Sequence, residues 1–176
     1  HDIIMWSIEA DVIDGLRVNR EHPRFPGMHV EDNISFTTEL KEAVTGVDLI
    51  VESVTAKGLR PVLKSIIEIG PMEVPFVMTS KGIEQGTGQL LPEICIEVLG
   101  EGYRDRIGCI SGPSLAVEVL HKVPTSVVSA SYDEAIRMMI AQVFNSDYFR
   151  VYPNEDMLGV AFGGAMKNII AIASGI

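Results

Sequence analysis

The sequence is poor in the residues that build disulfide frameworks, zinc centres and basic nucleic-acid surfaces. Its two cysteines, Cys95 and Cys109, lack metal-type spacing, and its four histidines (His1, His22, His29 and His121) are scattered. Neither a disulfide scaffold nor a metal site is indicated, and a reducing, cytoplasmic setting is expected. Positive charge is also scarce: 14 Lys and Arg stand against 24 Asp and Glu, a formal net charge of −10 in 176 residues. No run of Lys or Arg forms a stripe, which argues against nucleic acid as a partner. Repeats and low-complexity tracts are lacking. So is a signal-like leader, because Asp2 runs straight into Ile3-Ile4-Met5-Trp6, which reads as a strand entered mid-fold. The chain is therefore expected to be a piece of a longer protein. A hydrophobic fraction of 47% is that of an ordinary globular chain, with enough for one core and the start of a second unit.

Long hydrophobic runs are scarce except at the end. Met157 to Ile176 holds a single charged side chain, Lys167, in an apolar, glycine-studded helical pattern. Crossing a bilayer with a central Lys costs roughly 2.5–3.5 kcal/mol on insertion scales, and Asn168 adds to that, so no membrane span is expected. Two readings of Lys167 stay open on pattern alone. Its stem can lie on the apolar face with the ammonium in water, or the ammonium can be desolvated, which lowers a lysine pKa toward the range useful for proton transfer. Gly163 and Gly164, one turn earlier, leave room for close approach to the same face.

Upstream, short apolar runs alternate with longer mixed segments. Strands are expected at 3–6, 34–37, 48–54, 76–79, 107–111, 125–130 and 149–152. Helices are expected at 9–20, 38–44, 59–69, 89–99, 114–121 and 132–144. The strands show little polar alternation, as suits burial on both faces, and the rhythm implies a doubly wound, mostly parallel α/β sheet. Gly100 and Gly102 read as helix terminators. A composition shift near Pro153-Asn154 divides the chain into residues 1–153 and 154–176. Sheets of this kind bind ligands at the carboxyl ends of their strands. Thr79-Ser80-Lys81-Gly82 and Ser111-Gly112-Pro113-Ser114 follow two of them. No Gly-Lys-Ser or Gly-Lys-Thr follows the glycines after Lys81, so a triphosphatase loop is not supported. Glu9, just past the first strand, is either the acid that holds a dinucleotide ribose or merely the first turn of a helix.

Thr79-Ser80-Lys81-Gly82-Ile83-Glu84, Ser111-Gly112-Pro113-Ser114-Leu115-Ala116-Val117-Glu118-Val119, Phe149-Arg150-Val151-Tyr152, Gly164-Ala165-Met166-Lys167-Asn168 and Ala171-Ile172-Ala173-Ser174-Gly175 stand in order along the chain. Together they resemble the NAD(P)-dependent glycerol-3-phosphate dehydrogenases. The resemblance implies a Rossmann-type domain over 1–153, followed at 154–176 by the first helix of an all-α substrate domain. It implies hydride transfer between NAD(P)H and dihydroxyacetone phosphate to give sn-glycerol 3-phosphate, feeding glycerophospholipid synthesis. By the same likeness Lys167 is the catalytic acid/base, and Lys81 is a second catalytic lysine touching substrate and cofactor. Gly112, Ser114 and Asn168 are substrate contacts, whereas Trp6, Glu9 and Ala116 lie on the cofactor side. The partner implied is a small phosphorylated substrate, and a homodimer is compatible. Relatives acting on other hydroxy acids or sugar nucleotides, and a non-catalytic dinucleotide-binding module, are the alternatives.

Two departures bear on this. Ser7-Ile8-Glu9 stands where bacterial members often carry an Arg, which favours NAD over NADP because Glu9 repels a 2′-phosphate. Thr55 stands where the family usually has proline. The glycine-rich turn is expected before His1 and the phosphate-clamping Arg-Asn pair after Ile176, so the chain alone should be inactive or nearly so.

Overall fold

A computed structural model describes residues 1–175, with Asn168 placed as a helix position without its side chain. The chain divides into two compact units, residues 1–47 and 48–176.

In the first unit, β1 (Ile3–Trp6) and β2 (Ile34–Thr37) pair in parallel, Met5 opposite Phe36. Helix α1 (Ala10–Asn19) buries Ile13 and Leu16 against Phe36, positions three apart that share one helix face. Glu9 is its N-cap but makes no side-chain capping bond. The short α2 (Leu40–Val44) starts later than the sequence suggests. Thr37 Oγ1 accepts from the Glu39 backbone N–H at 3.0 Å and donates to Glu42 at 2.6 Å, holding Thr38 and Glu39 outside the helix. Burial of β1 on both faces is not found: Ile3 and Ile4 are exposed, and among the described residues β1 pairs with β2 alone.

The second unit is a five-stranded sheet in the order β3 (Ile50–Glu52), β4 (Phe76–Met78), β5 (Ile107–Ser111), β6 (Thr125–Ser131), β7 (Phe149–Asn154). Every pairing is parallel except β5 with β6. The expected α/β class and mostly parallel sheet are thus observed. Its helices are α3 (Ala56–Ile69), α4 (Leu91–Leu99), α5 (Ala116–Leu120), α6 (Glu134–Phe144) and α7 (Met157–Ser174). Helix α3 begins three residues before the expected start, because the Gly58 N–H closes a turn onto the Thr55 carbonyl at 2.7 Å. Gly100 does end α4, but Gly102 lies inside a 3₁₀ turn, Glu101–Arg106, that the glycine pair concealed. Strand β7 runs on through Pro153, opposite Ser129; at the end of the sheet a residue without an N–H is tolerated.

The period of two along β5 decides what each helix meets. Ile110 joins Val77, Val127, Val151 and Ile140 in the core beneath α6. Gly108 lies on that face too, where a Cβ would sit 2.2 Å from the Ile140 side chain. Cys109 and Ser111 turn to the opposite face, toward Lys81 and α7. Asp133 and Asp156 cap α6 and α7 by accepting from the Ile136 N–H at 3.0 Å and the Gly159 N–H at 2.8 Å. Ile140 is fully buried at the centre of the α6 face, so Ile140→Ala should destabilise the fold by about 2–5 kcal/mol, read as a lower urea midpoint at unchanged m-value.

Candidate active site

The β4 end carries Thr79-Ser80-Lys81-Gly82, and the β5 end carries Ser111-Gly112. Adjacent parallel strands put these ends side by side, Met78 opposite Cys109. Helix α7 crosses above them. A Cβ on Gly164 would lie 2.4 Å from Ser111 Oγ and 3.3 Å from Lys81 Cγ, so only glycine lets the helix backbone come this close. The crevice between Ser80, Lys81, Cys109, Ser111 and Ala161 offers about 10 Å³ to a water-sized sphere. That admits roughly one water.

Lys81 is half-buried, and its Nζ donates to the Thr79 carbonyl at 3.3 Å. Burial lowers its pKa from the ordinary value, and the charge of Lys167 lowers it further, against a weaker pull from Cys109. The Cys109 thiol is itself pushed up to about 12 by burial, so it stays protonated at neutral pH. Lys167 therefore stands close enough to act on Lys81. It is half-buried rather than sealed in an apolar pocket, because Phe162, Ile169 and Ile172 on α7 are all exposed. The expected substrate contact at Asn168 falls on a side chain outside the described residues.

The other expected residues are placed as follows. The ring of Trp6, at the end of β1, donates its Nε1–H to the Thr38 carbonyl at 3.0 Å and so braces the entry to α2. Glu9 follows it, half open to solvent, with Arg24 3.7 Å away. Gly112 lies directly after β5, where a Cβ would come within 2.9 Å of Val127 Cα. Ser114 Oγ turns back to the Gly112 carbonyl at 3.4 Å, and Ala116 opens α5 on the surface. Lys81 and Lys167 are thus brought together, and Gly112 and Ser114 share the β5 turn next to them. Trp6 and Glu9 belong to the first unit.

Sequence reasoning missed Ser111 and Gly164 as a contact pair, and missed Glu52 altogether. Glu52 is the one acid in the run Asp48-Leu49-Ile50-Val51-Glu52 that ends up buried, and a lone charge in an apolar strand was the available signal. The strand ends suit a nicotinamide dinucleotide chemically. Helix α3 starts behind Thr55 with no side-chain cap and no acid in its first turn, so no carboxylate there opposes an anionic ligand. In the first unit, Glu9 presents a carboxylate that can accept from a ribose diol.

Residues 1–137 match the family model described as NAD-dependent glycerol-3-phosphate dehydrogenase N-terminus, and the chain belongs to that family. It is 49% identical over 176 residues to a glycerol-3-phosphate dehydrogenase, NAD(P)+, of Protochlamydia amoebophila, covering 100% of this chain and 53% of that protein. A relative of the same name in Chlamydia pneumoniae is 48% identical over the same 176 residues, with 100% and 53% covered. The crystal structure of glycerol-3-phosphate dehydrogenase from Coxiella burnetii superposes with a TM-score of 0.89 at 30% identity, covering 99% of this chain and 53% of that one. The chain spans about half the length of the relatives it matches.

The lowered pKa of Lys81 has a direct chemical signature. A larger neutral fraction should make Lys81 react with an acylating reagent at lower pH than a free lysine does, as followed by peptide mass spectrometry. Lys167→Ala removes the repelling charge and should move Lys81 labelling to higher pH.

Proposed function

We propose that the whole protein, of which this chain is the dinucleotide-binding part, reduces dihydroxyacetone phosphate to sn-glycerol 3-phosphate in the cytoplasm and so supplies glycerophospholipid synthesis. The observation that carries the reading is the placement of Lys81 and Lys167 over one strand-end surface, close enough for one to shift the other. Two cations gathered on a partly dry surface suit an anionic substrate, whose phosphate and developing alkoxide relieve their repulsion. Lys81 on the β4 turn and Lys167 on α7 reach one substrate from two elements of the same compact unit.

A nicotinamide dinucleotide, when bound, supplies the hydride that reduces the substrate carbonyl carbon, and Trp6, Glu9, Lys81 and Ala116 are the residues here that would hold it. Lys167 serves as the acid that gives a proton to the carbonyl oxygen, or takes it back in reverse. Lys81 holds the oxygen as negative charge builds on it, working from a half-buried position where a charge acts more strongly than in water. The Gly112-Pro113-Ser114 turn lets the substrate approach the backbone. A homodimer is compatible with this arrangement, and nothing in it needs nucleic acid.

Specificity for the cofactor follows from Glu9. Its pairing with Arg24 at 3.7 Å lies in solvent, where such pairs are worth little, so the carboxylate still repels a 2′-phosphate. The complete enzyme should therefore bind NADH more tightly than NADPH in a fluorescence titration, and the reverse order would refute the assignment of Glu9. Lys167→Ala should lower turnover by about 10²–10⁴ in steady-state assays of the complete enzyme with dihydroxyacetone phosphate. Undiminished turnover would reject the proton-handling role. A substrate panel that favours another hydroxy acid or a sugar nucleotide would reassign the substrate.

A further inference from the structure

Glu52, the last residue of β3, is 4% exposed. Its Oε1 accepts from the Val54 N–H at 2.7 Å and lies 2.5 Å from Ser80 Oγ, and its Oε2 is buried without a partner among the described residues. The Ser80 hydroxyl is also bonded to the Val54 carbonyl oxygen. Its one proton is shared between two acceptors, Glu52 Oε1 and the Val54 carbonyl oxygen. Burial raises the Glu52 pKa, while the Ser80 hydroxyl and the N–H groups of Val54 and Ser80 pull it back. The titratable group acting on it from α4 is Cys95, which burial keeps as a neutral thiol. From β4 and the β3–α3 loop its neighbours are hydroxyls and backbone, and Lys81, at the far end of the turn, is the cation beyond them.

The same residue grips the turn a second time through its backbone. The Glu52 carbonyl accepts from both the Thr79 N–H and Thr79 Oγ1, each at 2.9 Å, and Ser53 Oγ meets Thr79 Oγ1 at 2.8 Å. The Thr79 carbonyl is in turn the acceptor for Lys81 Nζ. We propose that Glu52 is a positioning residue that, through Ser80, locks the Thr79–Gly82 turn and so fixes where Lys81 meets the substrate. This rests on the reading of Lys81 as a site lysine.

The test uses the full-length enzyme and compares wild type with Glu52→Gln, Glu52→Ala and Ser80→Ala. The readouts are kcat and KM for dihydroxyacetone phosphate across pH 5.5–9.5, and thermal unfolding. Misplacing a reacting group costs up to about 10²-fold, so Glu52→Ala and Ser80→Ala should each lower kcat by roughly tenfold or more. Glu52→Gln, which keeps a side-chain oxygen for the Val54 N–H and Ser80 Oγ, should recover kcat near neutrality to within about threefold. The stability sign is fixed by linkage. A pKa raised in the fold makes wild type lose stability as pH climbs from the ordinary 4.5 toward the raised value. Glu52→Gln should therefore match wild type in acid and exceed it in Tm as pH rises.

Should Glu52→Ala fail to fold, Ser80→Ala and Glu52→Gln decide the matter. Wild-type kcat and KM in Ser80→Ala, or a tenfold or larger loss of kcat in Glu52→Gln, overturns the proposal. A wild-type enzyme that does not reduce dihydroxyacetone phosphate overturns the functional reading instead. The dependence of Tm on pH and the labelling of Lys81 in the variants then still decide whether Glu52 holds the turn.

Discussion

Partial removal of Lys81 from water, with a second ammonium nearby on α7, is the constraint around which this site is arranged. Each cation alone would be more stable fully hydrated, and together they repel. The fold meets both costs through the rest of its packing: α7 is held against β5 by a glycine contact, and the turn bearing Lys81 is bonded to the end of β3. What results is a surface with its charges already oriented, where an arriving anion displaces little ordered structure. Preorganised charge in a partly dry site is the usual source of large electrostatic effects on developing oxyanions.

The construction depends on the two-residue period of one strand. Along β5, Gly108 and Ile110 serve the α6 core while Cys109 and Ser111 serve the lysine face. A slip of one residue would bury Ser111 under α6 and turn Ile110 toward the lysines. The glycine at 108 is filled by Ile140, and this close packing resists such a slip. Core packing and site geometry are therefore one constraint, expressed on opposite sides of the same five residues.

Much of this was legible beforehand, and for identifiable reasons. Lys167 and Lys81 stood out as charges in apolar or strand-end contexts, and Gly112 and Ser114 as a turn after a buried strand. Those features are local, so the chain displays them directly. Strands β1, β2 and β5 were placed to the residue because apolar runs bounded by turns are local as well. The contact of Gly164 with Ser111 was not legible, since it joins residues far apart in sequence through the crossing of α7. The early start of α3 was hidden by Gly58, a residue of low helix propensity that here lies in the first turn. Glu52 was hidden in a different way: an acid at a strand end reads as solvated until the neighbouring strand supplies the hydroxyl that closes over it.

Glu52 joins the lysine turn through hydrogen bonds rather than through charge. Its Oε1 meets Ser80 Oγ and the Val54 N–H, and its backbone carbonyl takes the Thr79 N–H and hydroxyl; an apolar residue at position 52 would keep only the second set. Loss of water at the ends of β3 and β4 raises the Glu52 pKa and lowers that of Lys81, so one physical cause shifts the two groups in opposite directions on the pH scale.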